Sequence, residues 1–207
     1  MRSLKRGFTL IELIVGIVLL AVALTGMLGL LINQAPKAVD PVQQVRAAQL
    51  AQRLSGEILQ KSFDEHSDHN GGRYRCGETF NGQFYGDCSC PVGVACTQQP
   101  PAPTIAGWQP SQYGPDGEPA SYAYNDVDDF DTSGNWVDAN TLTQTAAGVR
   151  GEEYRNYQVK IVVSGADFSD GTFKSCAAPC SVGKRIDLQI KLPDQSVLDF
   201  SFYRGNY

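Results

Sequence analysis

Glu12 is the first residue of this chain whose type and position call for chemistry. It stands as a lone acid at the head of the run GFTLIELIVGIVLLAVALTGMLGLLIN. From Leu13 to Ile32 the twenty residues hold only Thr25 as a polar side chain, a stretch long enough to cross a hydrocarbon core of about 30 Å as a helix. An ionised acid at that depth costs roughly 2–4 kcal/mol on insertion scales. Glu12 therefore calls for a counter-charge, and the chemistry expected of it is pairing rather than catalysis. The competing reading is a membrane-edge carboxylate that snorkels to the headgroups. Arg2, Lys5 and Arg6 precede the run, and such a basic flank stays cytoplasmic while the rest of the chain is exported. A cleavable secretory signal ending at Ala21-Val22-Ala23 fits less well, because the chain stays apolar beyond it.

The second group is Cys76, Cys88, Cys90, Cys96, Cys176 and Cys180. An even count in an exported domain points to three intramolecular disulfides. Their connectivity is not readable from spacing. Cys88 and Cys90 suit separate partners, and Cys176-Ala-Ala-Pro-Cys180 could close a small local loop. Zinc and thiol-redox chemistry are the competing uses, and the missing Cys-x-x-Cys pair argues against both. His66 and His69 sit in FDEHSDHNGG, where Asn70-Gly71-Gly72 signals a loop. That context reads as solvated chain rather than a metal site. The last group is Asp126, Asp128 and Asp131 in YNDVDDFD. Alternating oxygens near Gly134 suit calcium, which takes six to eight hard ligands. These three are the candidate calcium ligands, against an acidic turn capped by its own side chains. No other cofactor is implied.

The elements that must carry these residues follow from pattern. Ala47, Leu50, Ala51, Leu54 and Ile58 recur at helical spacing and predict a core-facing stripe, with Gln43, Gln44, Arg46, Gln52 and Arg53 outward. Pro36 and Pro41 predict a kink or short break near 36–41. Residues 97–121 are proline-rich and read as extended surface chain. Val159, Ile161 and Val163 alternate with polar residues, as do Ile186, Leu188, Ile190 and Leu192. Pro193-Asp194-Gln195-Ser196 reads as a turn, and Leu198, Phe200 and Phe202 as the returning strand. The expected fold is α+β: a long N-terminal helix, half membrane-spanning and half amphipathic, packed on a C-terminal antiparallel sheet.

Composition narrows the function classes. The chain has 207 residues, 42% of them hydrophobic and 19% charged, which suits a folded protein. A net charge of −5 argues against nucleic acid, which selects basic surfaces. There is no internal repeat, phosphate-binding glycine loop or nucleophile elbow, and no acid–base constellation, so an enzyme is not expected.

Lys5-Arg6-Gly7-Phe8-Thr9-Leu10-Ile11-Glu12 resembles the class III signal of type IV prepilins and pseudopilins. The resemblance implies that a prepilin peptidase cuts after Gly7 and that the new terminal residue, Phe8, is methylated on its amine. It also implies that Glu12 meets the Phe8 amine of a neighbouring subunit during assembly. The implied organisation is a leader at 1–7, a transmembrane and assembly helix at 8–32, an amphipathic helix at 33–62 and an exported disulfide-containing domain at 63–207. Other pilin subunits, the peptidase, the inner membrane and the pilus assembly machinery are the partners. The chain would be a single-pass inner-membrane protein with its C-terminal domain in the periplasm, reaching the pilus or cell surface on assembly. Some pseudopilins bind calcium in their C-terminal region. Within the family, Asp40 to Ala48, Ser62-Phe63-Asp64-Glu65 and Asn125 to Asp129 look like the MshD-type minor pilins of the mannose-sensitive haemagglutinin (MSHA) pilus. Major pilins usually carry a proline partway along the membrane half, where this chain has Gly29. The alternatives are a type II secretion pseudopilin or an adhesin-like tip, for which Trp108, Tyr113, Tyr122, Tyr124 and Trp136 could stack on a sugar.

Overall fold

Thr9 starts the structure as a helix cap. Its carbonyl accepts the backbone N–H groups of Glu12 (3.1 Å) and Leu13 (3.2 Å), and its hydroxyl lies 3.5 Å from Glu12 Oε2. Thr-Leu-Ile-Glu has the spacing of a capping box, so the acid that heads the apolar run also helps to start its helix. That helix, α1, spans Leu10–Leu59. The computed structural model describes residues 9–65, 67–68, 74–94, 111–145 and 152–207, without the side chains of residues 30–40.

The break expected near 36–41 is absent, and α1 continues through both prolines. Each proline removes one i→i−4 bond. Long helical stretches on either side are already nucleated, and propagation is far cheaper than starting a second helix. The chain nonetheless divides into two units at Val45–Arg46.

In the second unit, the stripe predicted on α1 is the buried face. Ala47, Leu50, Leu54 and Ile58 are wholly buried and Ala51 nearly so. Arg46 and Gln52 are exposed and Arg53 is half-buried; in the first unit, Gln44 is exposed and Gln43 half-buried. Arg53 donates to the carbonyl of Thr143 at 2.8 Å.

After α1 come a short hairpin, β1 (Thr79–Phe80) with β2 (Gln83–Phe84), and two 3₁₀ turns at Ser121–Ala123 and Asp128–Phe130. Then follow β3 (Val137–Asp138), α2 (Ala139–Leu142), β4 (Gln158–Asp167), β5 (Lys174–Ser175), β6 (Gly183–Lys191) and β7 (Val197–Gly205). The main sheet is antiparallel in the order β3-β4-β6-β7, with β5 paired to the end of β4. Its register sets Val159 opposite Ile190, Ile161 opposite Leu188 and Val163 opposite Ile186. Leu188 in turn faces Phe200, and Ile186 faces Phe202.

The alternating apolar residues all fall on one face because strand side chains have period two. That face and the α1 stripe form a single core with Phe130, Leu142, Tyr154 and Tyr157. The predicted turn joins β6 to β7: Leu192 N–H donates to Ser196 O at 2.9 Å, and Asp194 Oδ1 accepts the Ser196 N–H at 2.9 Å. Gly165 on β4 has a steric role. A Cβ there would lie 2.5 Å from Cys176 O and 2.7 Å from Cys180 Cβ, so only glycine lets the 176–180 loop close over the strand.

Candidate functional site

Two regions hold the residues singled out by sequence. The first is the start of α1. Gly7 and Phe8 lie outside the described residues. Glu12 lies in the first helical turn, where the positive end of the helix dipole favours an acid. From Leu10 to Gly29 the helix is a 20-residue apolar span with no buried side chain. Thr25 does not interrupt it, because its hydroxyl lies 2.9 Å from the carbonyls of both Ala21 and Val22. Internal satisfaction of that kind is what a helix in lipid requires. The Glu12 carboxylate has only the Thr9 hydroxyl beside it among the described contacts. No described cation of its own unit pairs with it, so this surface can meet lipid or other apolar helices and can offer one negative charge to a partner.

The second region is the folded unit with its cysteines and acids. Cys76 is bonded to Cys88 and Cys176 to Cys180. Cys90 is also in a disulfide, so Cys88 and Cys90 have separate partners. Cys96, His66, His69 and Trp108 lie outside the described residues. None of the described cysteines is a free thiol. Tyr113 is buried, Tyr124 packs edge-on against Phe130 at 4.9 Å, and Trp136 lies beneath the Lys160 and Lys191 ammonium groups. Tyr113 and Tyr124 line one open cavity, Tyr122 is half-buried, and Trp136 is engaged by the two lysines.

Asp126, Asp128 and Asp131 do not converge on a common point, and their oxygens do not gather within ligand distance. Asp126 Oδ1 accepts the backbone N–H groups of Asp128 (2.9 Å) and Asp129 (3.1 Å). Asp131 accepts from Ser133 N at 2.5 Å and, across to β4, from Val163 N at 2.7 Å. Asp129 Oδ2 accepts from Asn125 N at 2.9 Å and Asp126 N at 3.2 Å. In the described structure these oxygens cap the backbone of a tight turn.

Asp128 serves a different partner. Lys184 on β6 is wholly buried, and its Nζ contacts Asp128 Oδ1. The same Nζ lies 2.9 Å from Asp64 Oδ2 and 2.7 Å from Phe63 O. The rings of Phe63 and Tyr113 flank it at 4.6 and 5.5 Å. Burial pushes Asp128 up to about 6 despite the neighbouring ammonium. Burial and the Asp128 charge push Asp126 well above the usual carboxylate range. For Lys184, burial alone would lower its pKa, but the facing Asp128 and Asp64 charges outweigh it and raise the value above the ordinary lysine range.

Lys184 and Asp64 were not among the residues that spacing picked out. A signal existed, since Lys184 stands in phase with Ile186, Leu188 and Ile190 on the inward face of the strand. A cation at an inward position needs a buried anion, but the pattern does not say which one.

Residues 2–28 match the family model described as the prokaryotic N-terminal methylation motif. No curated protein and no solved structure matches the chain. The chain therefore carries a prepilin-like N-terminus, for which the match extends into α1 as far as Leu28.

Proposed function

We propose that this protein is a minor pilin of a type IV pilus of the MSHA type, a structural subunit rather than an enzyme. The observation that carries this reading is the fully exposed apolar half of α1, headed by Glu12 and matched by the methylation motif. Such a helix is a membrane anchor before assembly and a packing element among other pilin helices after it. In a bundle core, Glu12 would pair with the amine released at Phe8 of a neighbour, because a buried pair is far less costly than either charge alone. The prepilin peptidase, other pilins and the assembly machinery are its partners. The folded unit would face the periplasm and then the pilus surface.

A type II secretion pseudopilin has the same N-terminal chemistry. The deciding experiment is mass spectrometry of the mature chain, followed by fractionation of sheared pili. The expected result is a chain beginning at N-methylated Phe8, present in small amounts in MSHA-type pili. A mature chain that keeps residues 1–7 overturns the pilin reading. A processed chain that co-fractionates only with the secretion apparatus overturns the pilus assignment.

A further inference from the structure

Lys184 has no role in the reading above, yet it is the most enclosed cation in the described structure. Its amine is wholly buried between two carboxyl groups, with the Phe63 and Tyr113 rings on its flanks. Asp64 is held there by the backbone N–H of Ser89 at 2.8 Å. Asp128 is held by its 3₁₀ turn, whose N–H groups the Asp126 carboxylate fixes. A primary amine kept against a carboxyl group at high effective concentration is the requirement for condensation. Exclusion of water removes the reverse hydrolysis. The neutral product also removes the desolvation cost of a buried ion pair.

We propose that Lys184 and Asp128 condense to an intramolecular isopeptide bond, with Asp64 accepting the proton that frees the amine. In the step, the Lys184 ammonium passes one proton to the Asp64 carboxylate. The neutral amine then attacks Cγ of protonated Asp128. The N–C bond forms, the C–O bond breaks, and the departing hydroxyl leaves as water with the second proton lost by nitrogen. Asp64 keeps the first. Nothing is oxidised or reduced, and no co-reactant is needed.

The facing Asp128 and Asp64 charges hold the Lys184 ammonium charged, so the proton transfer to Asp64 is the uphill part of the step. One ammonium cannot neutralise Asp64, Asp126 and Asp128 together, and burial pushes Asp128 up to about 6, so a fraction of it carries the proton that condensation needs. The bond would join β6 to the Asp128–Phe130 turn across 56 residues of sequence. It would add a covalent tie that reduction of the disulfides leaves intact, and it does not depend on the pilus assignment.

The test is the mass of the full-length protein, purified in detergent, then reduced and denatured. The expected mass is lower than that of the reduced, processed chain by one water molecule. Proteolysis should yield one branched peptide joining the segments around Asp128 and Lys184. Lys184→Arg should restore the full mass, because a guanidinium does not condense. Asp64→Asn, which keeps an oxygen for the Ser89 N–H, should leave most of the chain uncondensed. A wild-type chain at its full mass overturns the proposal, and a branch at Asp64 overturns the choice of Asp128. Complete condensation in Asp64→Asn overturns the role given to Asp64.

Discussion

The apolar half of α1 and the folded unit treat charge in opposite ways. In the folded unit, Asp64 and Asp128 meet Lys184, supplied from 120 and 56 residues further along the chain. Each of these groups meets its partner within the fold before anything else binds. On α1, Glu12 lies among exposed leucines, isoleucines and valines with no cation beside it in its described contacts. A fold can answer a buried charge from within only where tertiary structure brings distant residues together. A lone helix has no such means, so its acid must be answered by something outside it. The first arrangement makes for stability, and the second is the one the proposed pilin function would use for assembly.

The largest effect that would break this comparison is expected at Lys184. Lys184→Met leaves Asp64, Asp128 and the Phe63 carbonyl in the core without their donor. Loss of one partner from a buried ion cluster costs about 3–5 kcal/mol. Chemical denaturation of the detergent-solubilised protein should show a loss of that size. A variant as stable as the wild type would mean that the cluster is solvated rather than internally paired.

A smaller effect concerns the acids that the fold does not neutralise. Burial pushes Asp129 from 3.8 up to about 7, against the lowering by its two backbone donors. A carboxyl whose folded pKa is raised holds its proton more tightly when folded. Its contribution is therefore full below the ordinary value of 3.8 and is lost as pH rises through about 7. The melting temperature should fall between about pH 5 and about pH 8, the reverse of ordinary acid denaturation in that range. Asp129→Asn keeps an acceptor for the N–H groups of Asn125 and Asp126 and should flatten the fall. A profile that rises with pH in the wild type, or one that Asp129→Asn leaves unchanged, would show that this acid is ionised in the fold.

The smallest effect on stability is expected at Glu12. Glu12→Gln touches nothing in the folded unit and should change its unfolding free energy by less than about 0.5 kcal/mol. Removing the charge should leave membrane insertion intact or ease it. The pilus-associated fraction, compared with the membrane fraction, should nonetheless fall well below wild type. Normal incorporation would make Glu12 a passive membrane-edge acid and remove the contrast with Lys184.

Much of the architecture was legible because it is periodic. The α1 stripe from Ala47 to Ile58, the inward positions of β4 and β6, and the Pro193–Ser196 turn are local patterns. Helix and strand geometry turn such patterns into faces without reference to the rest of the chain. A short break at Pro36 and Pro41, one of the two outcomes expected there, does not occur, for a related reason. A proline's local cost is visible in sequence, whereas the propagation of helix from both sides is a property of the whole segment. The acidic stretch was readable only as two alternatives, since the same aspartates could face an ion or their own backbone.

By itself the sequence determined the apolar span, its acid at position 12, the motif around it and the phase of each strand. All of these are set within a few turns of helix or a single strand. Only the tertiary structure decided that Cys76 meets Cys88 and that Asp126 and Asp131 cap backbone amides. It alone placed Lys184 between Asp64 and Asp128. Those choices join residues far apart in the chain or select among equivalent oxygens. They are decided by which groups the packed core leaves without water, because there an unpaired charge or amide is most costly.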